Sequence, residues 1–162
     1  FMNYGRPLKL RRTMVDYTEL VDRVLPVLSD KLAEQRIAIE TAIAPEMPAL
    51  WVDAELLRNC MLNFINNAAQ AMPTGGTISL GACADLEKGM AVLTFADQGV
   101  GISEEDADRI FQPYFTTKDV GIGLGLAITD RIIREHGGEI SLQSQPGQGT
   151  IFTVLLPLKA ED

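Results

Sequence analysis

Apolar residues recur along this chain with two different periods, and the switches between them outline its elements. Residues 17–35 have helical spacing, with Leu20, Val24, Val27 and Leu28 on one side. Pro26 lies inside that stretch and is expected to bend or interrupt the helix, because proline removes a backbone donor. Alternation over Ile37–Ile43 predicts a strand, and Leu50–Val52 predicts a shorter one. Asp53 is placed to cap a helix over residues 54–71, whose stripe of Leu57, Met61, Phe64, Ala68 and Ala71 is expected in the core. Two alternating runs, 77–84 and 91–96, flank the turn residues Glu87, Lys88 and Gly89 and predict a hairpin. Ser103 can cap a short acidic helix reaching about residue 109, with Asp106 where a capping box wants an acid. Residues 124–135 are helical again and stop at Gly137 and Gly138. Runs over 139–143 and 150–156 form two last strands around the "QPGQG" turn. The sum is an α+β protein: a two-layer α/β sandwich, its mixed and mostly antiparallel sheet carrying helices on one face.

Composition narrows the function. A chain of 162 residues suits one domain with a sizeable core. The formal net charge of -8 argues against a non-specific grip on nucleic acid or an anionic membrane. No apolar run approaches the length of a membrane span. Cys60 and Cys83 lack CxxC spacing and are expected to be reduced, buried residues of a cytosolic protein.

Three places carry candidate chemistry. The helix over 54–71 has a second stripe of Asn59, Asn63, Asn67 and Gln70, and no charged residue occurs between Asn59 and Ala84. Solvated helix faces ordinarily use Lys, Glu or Arg, which form helices better than Asn. An all-amide face points to a polar pocket free of salt bridges; a buried amide cluster fits the same pattern. Asp97 ends a strand, and Gly99 and Gly101 follow in "DQGVGI". An ionised carboxylate there only accepts hydrogen bonds, which suits the exocyclic amine of adenine and repels the carbonyl of guanine; an ordinary Asp-Gly turn reads the same way. Gly121, Gly123 and Gly125 alternate just before a helix, where bare N–H groups attract phosphate, and Lys118 stands nearby beside Thr116 and Thr117. The spacing is neither that of a P-loop nor that of a dinucleotide fingerprint. A flexible glycine loop with a solvated lysine is the plainer alternative.

The order of the motifs is more specific than any one of them. "NFINNA", "DQGVGI", "FQPYFTTK" and "GIGLGLAI" resemble the N, G1, F and G2 boxes of the sensor histidine kinase ATP-binding domain, a branch of the GHKL superfamily with the Bergerat fold. The resemblance runs from about Val15 to Leu158, and "GGEISLQSQPGQGTIFTVLLP" is similar to that family's closing strands. The short form "GIGLGL" resembles the subgroup of nitrogen-regulation and dicarboxylate-sensing kinases. The implied domain covers residues 15–159, with 160–162 a tail. Residues 1–14 would be a linker and the remnant of a preceding dimerisation helix.

The resemblance implies ATP and Mg²⁺ as cofactors and assigns the site residue by residue. Asn67 would ligate Mg²⁺, with Asn63 supporting the phosphates or the metal's waters. Asp97 would take the adenine amine, with Gly99, Gly101 and Ile102 shaping the turn beneath it. The segment from Ile102 to Gly121 would be a lid anchored by Phe111 and Phe115. Phe115, Thr116, Thr117 and Lys118 would reach the nucleotide from that lid, and exposed aromatics on it would offer a docking surface for a partner domain. Gly121, Gly123, Leu124, Gly125 and Leu126 would cradle phosphates, and Thr150 would sit near the adenine.

Two positions depart from relatives. Gln70 stands where many members carry a basic residue, so cationic help with the phosphates must come from Lys118, or from Arg109, or be weaker. Asn63 stands where gyrase, the mismatch-repair ATPase and the heat-shock chaperone carry a glutamate that activates water. Asparagine cannot act as a general base, so the implied chemistry is phosphoryl transfer rather than hydrolysis.

The family's acceptor is a histidine followed by an acid, on a separate dimerising helical hairpin, and no such motif occurs here. His136, the only histidine, is expected to be a structural or solvent-facing residue near a helix end. "FMNYGRPLKL" resembles the end of that hairpin and its linker. The implied partners are the hairpin domain and, through the full-length kinase, a response regulator, with no nucleic acid. The implied location is cytoplasmic, including as the cytoplasmic part of a membrane-anchored sensor. The isolated domain is expected to be a monomer that binds ATP without labelling itself. Three alternatives share the nucleotide fold: a serine kinase of the anti-sigma type, a nucleotide-sensing module without catalysis, and a hydrolytic relative, which Asn63 disfavours. The acidic run Glu104, Glu105, Asp106 and Asp108 reads as a solvated face rather than a metal site.

Overall fold

A computed structural model describes residues 7–113 and 125–159. The elements run β1 (Thr13–Val15), α1 (Tyr17–Glu34), β2 (Ile37–Ile43), β3 (Leu50–Val52), α2 (Ala54–Gln70), β4 (Gly76–Asp85), β5 (Met90–Asp97), α3 (Glu104–Ala107), α4 (Gly125–Glu135), β6 (Glu139–Gln145) and β7 (Gly149–Pro157). Five strands form one sheet in the order β2-β4-β5-β7-β6. β2 and β4 run parallel, joined through β3 and α2, and every other neighbouring pair is antiparallel. β1 and β3 pair separately as a small antiparallel ribbon.

Period-2 burial explains the layers. On β5 the residues Ala91, Leu93, Phe95 and Asp97 are buried while their neighbours are not. The inward set of β7 is Thr150, Phe152, Val154 and Leu156. Helices α1, α2 and α4 bring Tyr17, Val24, Met61, Phe64, Ile65, Ile132 and Ile133 onto that inner face. Phe64 is the keystone: its ring stacks on Phe95 at 4.5 Å between centroids and leans on Phe152 at 5.2 Å. Each fully buried aromatic of this kind removes enough apolar surface from water to stabilise the fold by several kcal/mol, on the order of 3.

Most expected elements are present, several with the anticipated ends. Asp53 caps α2 by accepting the Leu56 N–H at 3.1 Å. Gly137, at φ +78°, ends α4 in a Schellman motif: Gly137 N–H donates to Arg134 O and Gly138 N–H to Ile133 O. Ser103 caps α3 by accepting the Asp106 N–H, but the helix ends at Ala107 rather than near residue 109.

Three expectations are corrected, and one strand is added. α1 runs unbroken through Pro26, because the proline lies on the exposed side, where water can serve the carbonyl left without a donor. Val27 is 60% exposed, since the buried stripe of α1 follows Tyr17, Leu20, Val21, Val24, Leu28 and Leu32, and Val27 points away from it. Cys83 is exposed on the outer face of β4, one residue out of phase with buried Ala82. Cys60 is buried as expected, and burial pushes its thiol up to about 12, so it is a packing residue. Strand β1 was not anticipated; Thr13–Val15 is too short to show a period, and it pairs with β3 only through tertiary contact.

Phe64→Ala should cost about 3–5 kcal/mol of stability in urea denaturation, because both stacked rings lose their partner. Val27→Ala, on the exposed side of α1, should change it by no more than about 0.5 kcal/mol.

Candidate functional site

The inner face of the sheet is apolar along most of its length and polar at one end. Across β5, β7 and β6 the register pairs Leu93 with Val154 and Ile140, then Phe95 with Phe152 and Leu142, and last Asp97 with Thr150 and Ser144. The final row replaces hydrocarbon by a carboxylate and two hydroxyls at three inward positions. A cleft of about 780 Å³ opens there. Asn67 and Gln70 of α2 line it together with Asp97, Gly101, Ile102 and Thr150.

Asp97 is 8% exposed. Burial raises its carboxyl above the usual value, and N–H donors of Gly99 and Thr150 partly offset that. The Gly99 contact is a 2.8 Å bond to Oδ1. Thr150 is 4% exposed, and its hydroxyl lies 2.8 Å from Ser144 Oγ.

Packing explains the glycines after Asp97. A Cβ on Gly99 would strike the carbonyl of Ala71, the residue that closes α2. A Cβ on Gly101, at φ +74°, would strike the carbonyl of Gln145. Between them Val100 N–H donates to Ala71 O at 3.0 Å and its carbonyl accepts from Gly147 N–H at 2.7 Å. Gln98 fixes the start of the loop, its side-chain oxygen accepting the Thr77 N–H at 3.1 Å. The loop is thus clamped between the end of α2 and the β6–β7 turn, and the bare backbone is a fitted part.

The amide stripe of α2 divides. Asn59 and Gln70 are exposed, and Asn67 is half-buried at the cleft. Asn63 does not line the cleft; its Nδ2 donates to Gly125 O at 3.3 Å and to Thr129 Oγ1 at 3.1 Å. It holds the first turn of α4 beside α2. The Gly125 carbonyl can only accept, so a carboxylate at position 63 would meet it lone pair to lone pair. Leu126 is half-buried and packs against the core. Phe115, Thr116, Thr117, Lys118, Gly121, Gly123 and Leu124 lie outside the described residues.

Phe111, expected both to anchor its segment and to offer an exposed aromatic surface, is half-buried and edge-on to Phe152 at 6.1 Å, in contact with the core. Arg109 is engaged by Glu105 at 3.5 Å and Asp106 at 3.6 Å. Among the described residues no group of three or more acids, histidines or cysteines is arranged to hold a metal.

His136 is 6% exposed, a structural residue. Its Nδ1 donates to Ile132 O at 2.8 Å, which leaves Nε2 to accept the Asp53 N–H at 3.0 Å. Arg11 N–H donates to Asp53 Oδ2, and Arg12 donates to Glu135 O. The end of α4, the start of α2 and the segment before β1 therefore meet at one histidine. Sequence reasoning also missed Ser144 and Gln98. Ser144 had a readable signal: it is a polar residue in phase with Ile140 and Leu142, where an apolar one is due.

The fold and this cleft define a class: two-layer α/β domains that bind a ligand where the polar end of the sheet meets the helix over it. Residues 52–160 match the family described as histidine kinase-, DNA gyrase B-, and HSP90-like ATPase. The chain belongs to that family. It is 34% identical over 158 residues to sensor histidine kinase ZraS of Klebsiella oxytoca, covering 96% of this chain and 34% of the relative. The solved structure of full-length ShkA in complex with AMPPNP aligns with a TM-score of 0.88 at 30% identity, over 96% of this chain and 33% of that one. The catalytic domain of histidine kinase ThkA aligns at 0.83 and 27% identity, over 93% of this chain and 99% of that one. ThkA has also been solved in complex with the response regulator protein TrrA; that chain aligns at 0.79 and 26% identity, over 93% of this chain and 42% of its own length. The chain spans about a third of the length of the curated relative. Among the described residues no helix is long and apolar enough to cross a membrane.

Burial lowers the pKa of His136, opposed by its bond to Ile132 O and assisted by nearby Arg12. A histidine depressed in the folded state contributes its full stability above the unfolded value, near 6.5, and loses it as pH falls through the folded value. Urea midpoints of the wild type should therefore fall below pH 6.5, by at most about 1.4 kcal/mol per pH unit, and His136→Gln should flatten that slope. Asp97 has the opposite sign. Its raised pKa makes its stability contribution complete below 3.8 and lost as pH rises through the folded value. Asp97→Asn should be at least as stable as the wild type at pH 7, with the advantage shrinking in acid; a marked loss at pH 7 would contradict this account of the site.

Proposed function

We propose that residues 15–159 are the catalytic ATP-binding domain of a sensor histidine kinase, which binds Mg-ATP and passes the γ-phosphoryl group to a histidine on a separate dimerising helical domain. A response regulator is the next acceptor. The observation that carries this reading is the polar end row, where a nearly buried carboxylate shares a cleft with the amide face of α2 and no lysine or arginine lines that cleft among the described residues. A buried acceptor of that kind needs a donor, and an exocyclic amine supplies one. The ZraS and ShkA likenesses support the same reading, and so does the nucleotide analogue named with ShkA.

The donor set fits magnesium. Mg²⁺ keeps most of its waters and takes phosphate oxygens, so one neutral amide oxygen, from Asn67 at the cleft, is a sufficient protein ligand. When bound, the ion neutralises the triphosphate and its developing charge. The chain's own residues orient the nucleotide: Asp97 receives the amine, the clamped loop of Gly99, Gly101 and Ile102 supports the base, and Asn63 sets the height of α4. Gly121, Gly123, Leu124, Gly125 and Leu126 receive the phosphates, with Phe115, Thr116, Thr117 and Lys118 closing over them; Gln70 stands at the rim. Asn63 in its observed role supplies no base, which suits transfer over hydrolysis. Both ring nitrogens of His136 are occupied inside the protein, so the acceptor histidine is supplied by another domain. The domain works as a monomer in the cytoplasm, freely or as the inner part of a membrane-anchored sensor.

Calorimetric titration should show Mg-ATP binding at least about tenfold tighter than Mg-GTP, with the difference lost in Asp97→Asn. Mixed with a histidine-bearing hairpin domain of a related kinase and radiolabelled ATP, the chain should transfer label that acid removes. Equal binding of both nucleotides would defeat the site, and an acid-stable label would assign a serine kinase instead.

A further inference from the structure

Ser144 lies at the polar end of the inner face, and its three bonds determine one another. Its hydroxyl oxygen accepts the Ile102 N–H at 2.8 Å. It also lies 2.9 Å from the Gly149 carbonyl and 2.8 Å from Thr150 Oγ1. A serine hydroxyl has one proton and two acceptor positions. The Gly149 carbonyl can only accept, so the Ser144 proton goes there. The bond to Thr150 must then run the other way, with Thr150 donating. Its proton is committed to Ser144, and Thr150 Oγ1 faces its other neighbours as an acceptor alone.

We infer that Ser144 is a positioning residue that fixes the polarity of Thr150, so that the cleft meets a nucleobase with two acceptors, Asp97 and Thr150, and selects a base bearing an exocyclic amine over one bearing a carbonyl. The inference rests on the nucleotide-site reading above. Thr150 and Asp97 are register partners on adjacent strands, so the two acceptors stand side by side. The same serine holds Ile102 at the end of the clamped loop, and the β6–β7 turn through Gly149. Without its hydroxyl, Thr150 is free to rotate and donate, and the carbonyl of hypoxanthine becomes an acceptable partner.

ADP and IDP are the probes: at C6 adenine bears an amine and hypoxanthine a carbonyl, and at N1 adenine is bare and hypoxanthine protonated. Titrated with magnesium, the wild type should prefer ADP, and Ser144→Ala should narrow the ADP:IDP affinity ratio by about tenfold, with IDP gaining. Ser144→Thr, which keeps the hydroxyl, should restore the ratio. In a Thr150→Val background Ser144→Ala should change the ratio no further. Equal weakening of both nucleotides in Ser144→Ala, or a persisting effect in the Thr150→Val background, would overturn the inference and leave a structural serine. Should Ser144→Ala fail to fold, Thr150→Val alone decides: a narrowed ratio supports the acceptor pair and an unchanged one overturns it. A wild type indifferent to ADP and IDP overturns the nucleotide-site reading itself, whereas a selective wild type with an unaltered Ser144→Ala overturns only the role of Ser144.

Discussion

An inward-facing sheet residue can be apolar only where a helix covers it. In this domain α2 covers the inner face as far as the Phe64–Phe95–Phe152 cluster and ends at Gln70. One register step beyond that cluster the inward positions carry Asp97, Thr150 and Ser144. The cleft is what remains where the apolar layer stops. Its floor is held by the pairing of three strands, so the acceptors keep fixed positions without any residue being added for that purpose. The rigidity that a selective pocket requires comes from the same ladder that builds the core.

That placement has a cost, carried by Asp97. A carboxylate this deep is disfavoured in its charged form, and the two main-chain donors beside it offset the penalty only in part. A carboxylate whose burial disfavours its charged form at the wall of a cleft marks a candidate binding position. The glycines nearby belong to the same compromise. Gly99, Gly101 and Gly149 let three backbones meet within contact distance, at Ala71, Gln145 and Asp97. Their conformational freedom is given up to a clamp.

The helices are tied to one another by polar contacts at both ends of α4. At its start, Asn63 bonds Gly125 and Thr129, and Thr129 in turn bonds Cys60. At its finish, His136 joins Ile132 to the cap of α2, where Arg11 also docks. The carbonyl of Gly125 calls for a hydrogen-bond donor at position 63, which the amide supplies. The absence of an acid there is therefore built into the packing of α2 on α4 as well as into any chemistry. The small β1–β3 ribbon and the arginine contacts bring the segment before α1 onto this joint, so a displacement of that segment would be felt first at the helix ends.

Periodic burial made most of the elements legible. The alternation of β2, β5 and β7, the cap at Asp53 and the stop at Gly137 are local signals, each set by a few neighbouring residues, and local physics reads them well. The candidate site was partly legible for the same reason: Asp97, Gly99 and Gly101 sit together in sequence, and Asn67 and Gln70 share one helix. What eluded the pattern depends on partners distant in sequence. β1 exists because β3 is there to pair with it. Val27 faces water because the buried stripe of α1 is set by the sheet it meets. Cys83 is exposed because the phase of β4 is decided by Ala82 entering the core. Ser144 acquires its meaning only when β6 and β7 align it with Thr150, and His136 only when α4 reaches the N–H of Asp53. Periodicity and turn chemistry are written into neighbouring residues, and they determined the elements; register and donor direction arise between residues far apart in the chain, and only the assembled sheet and helices could decide them.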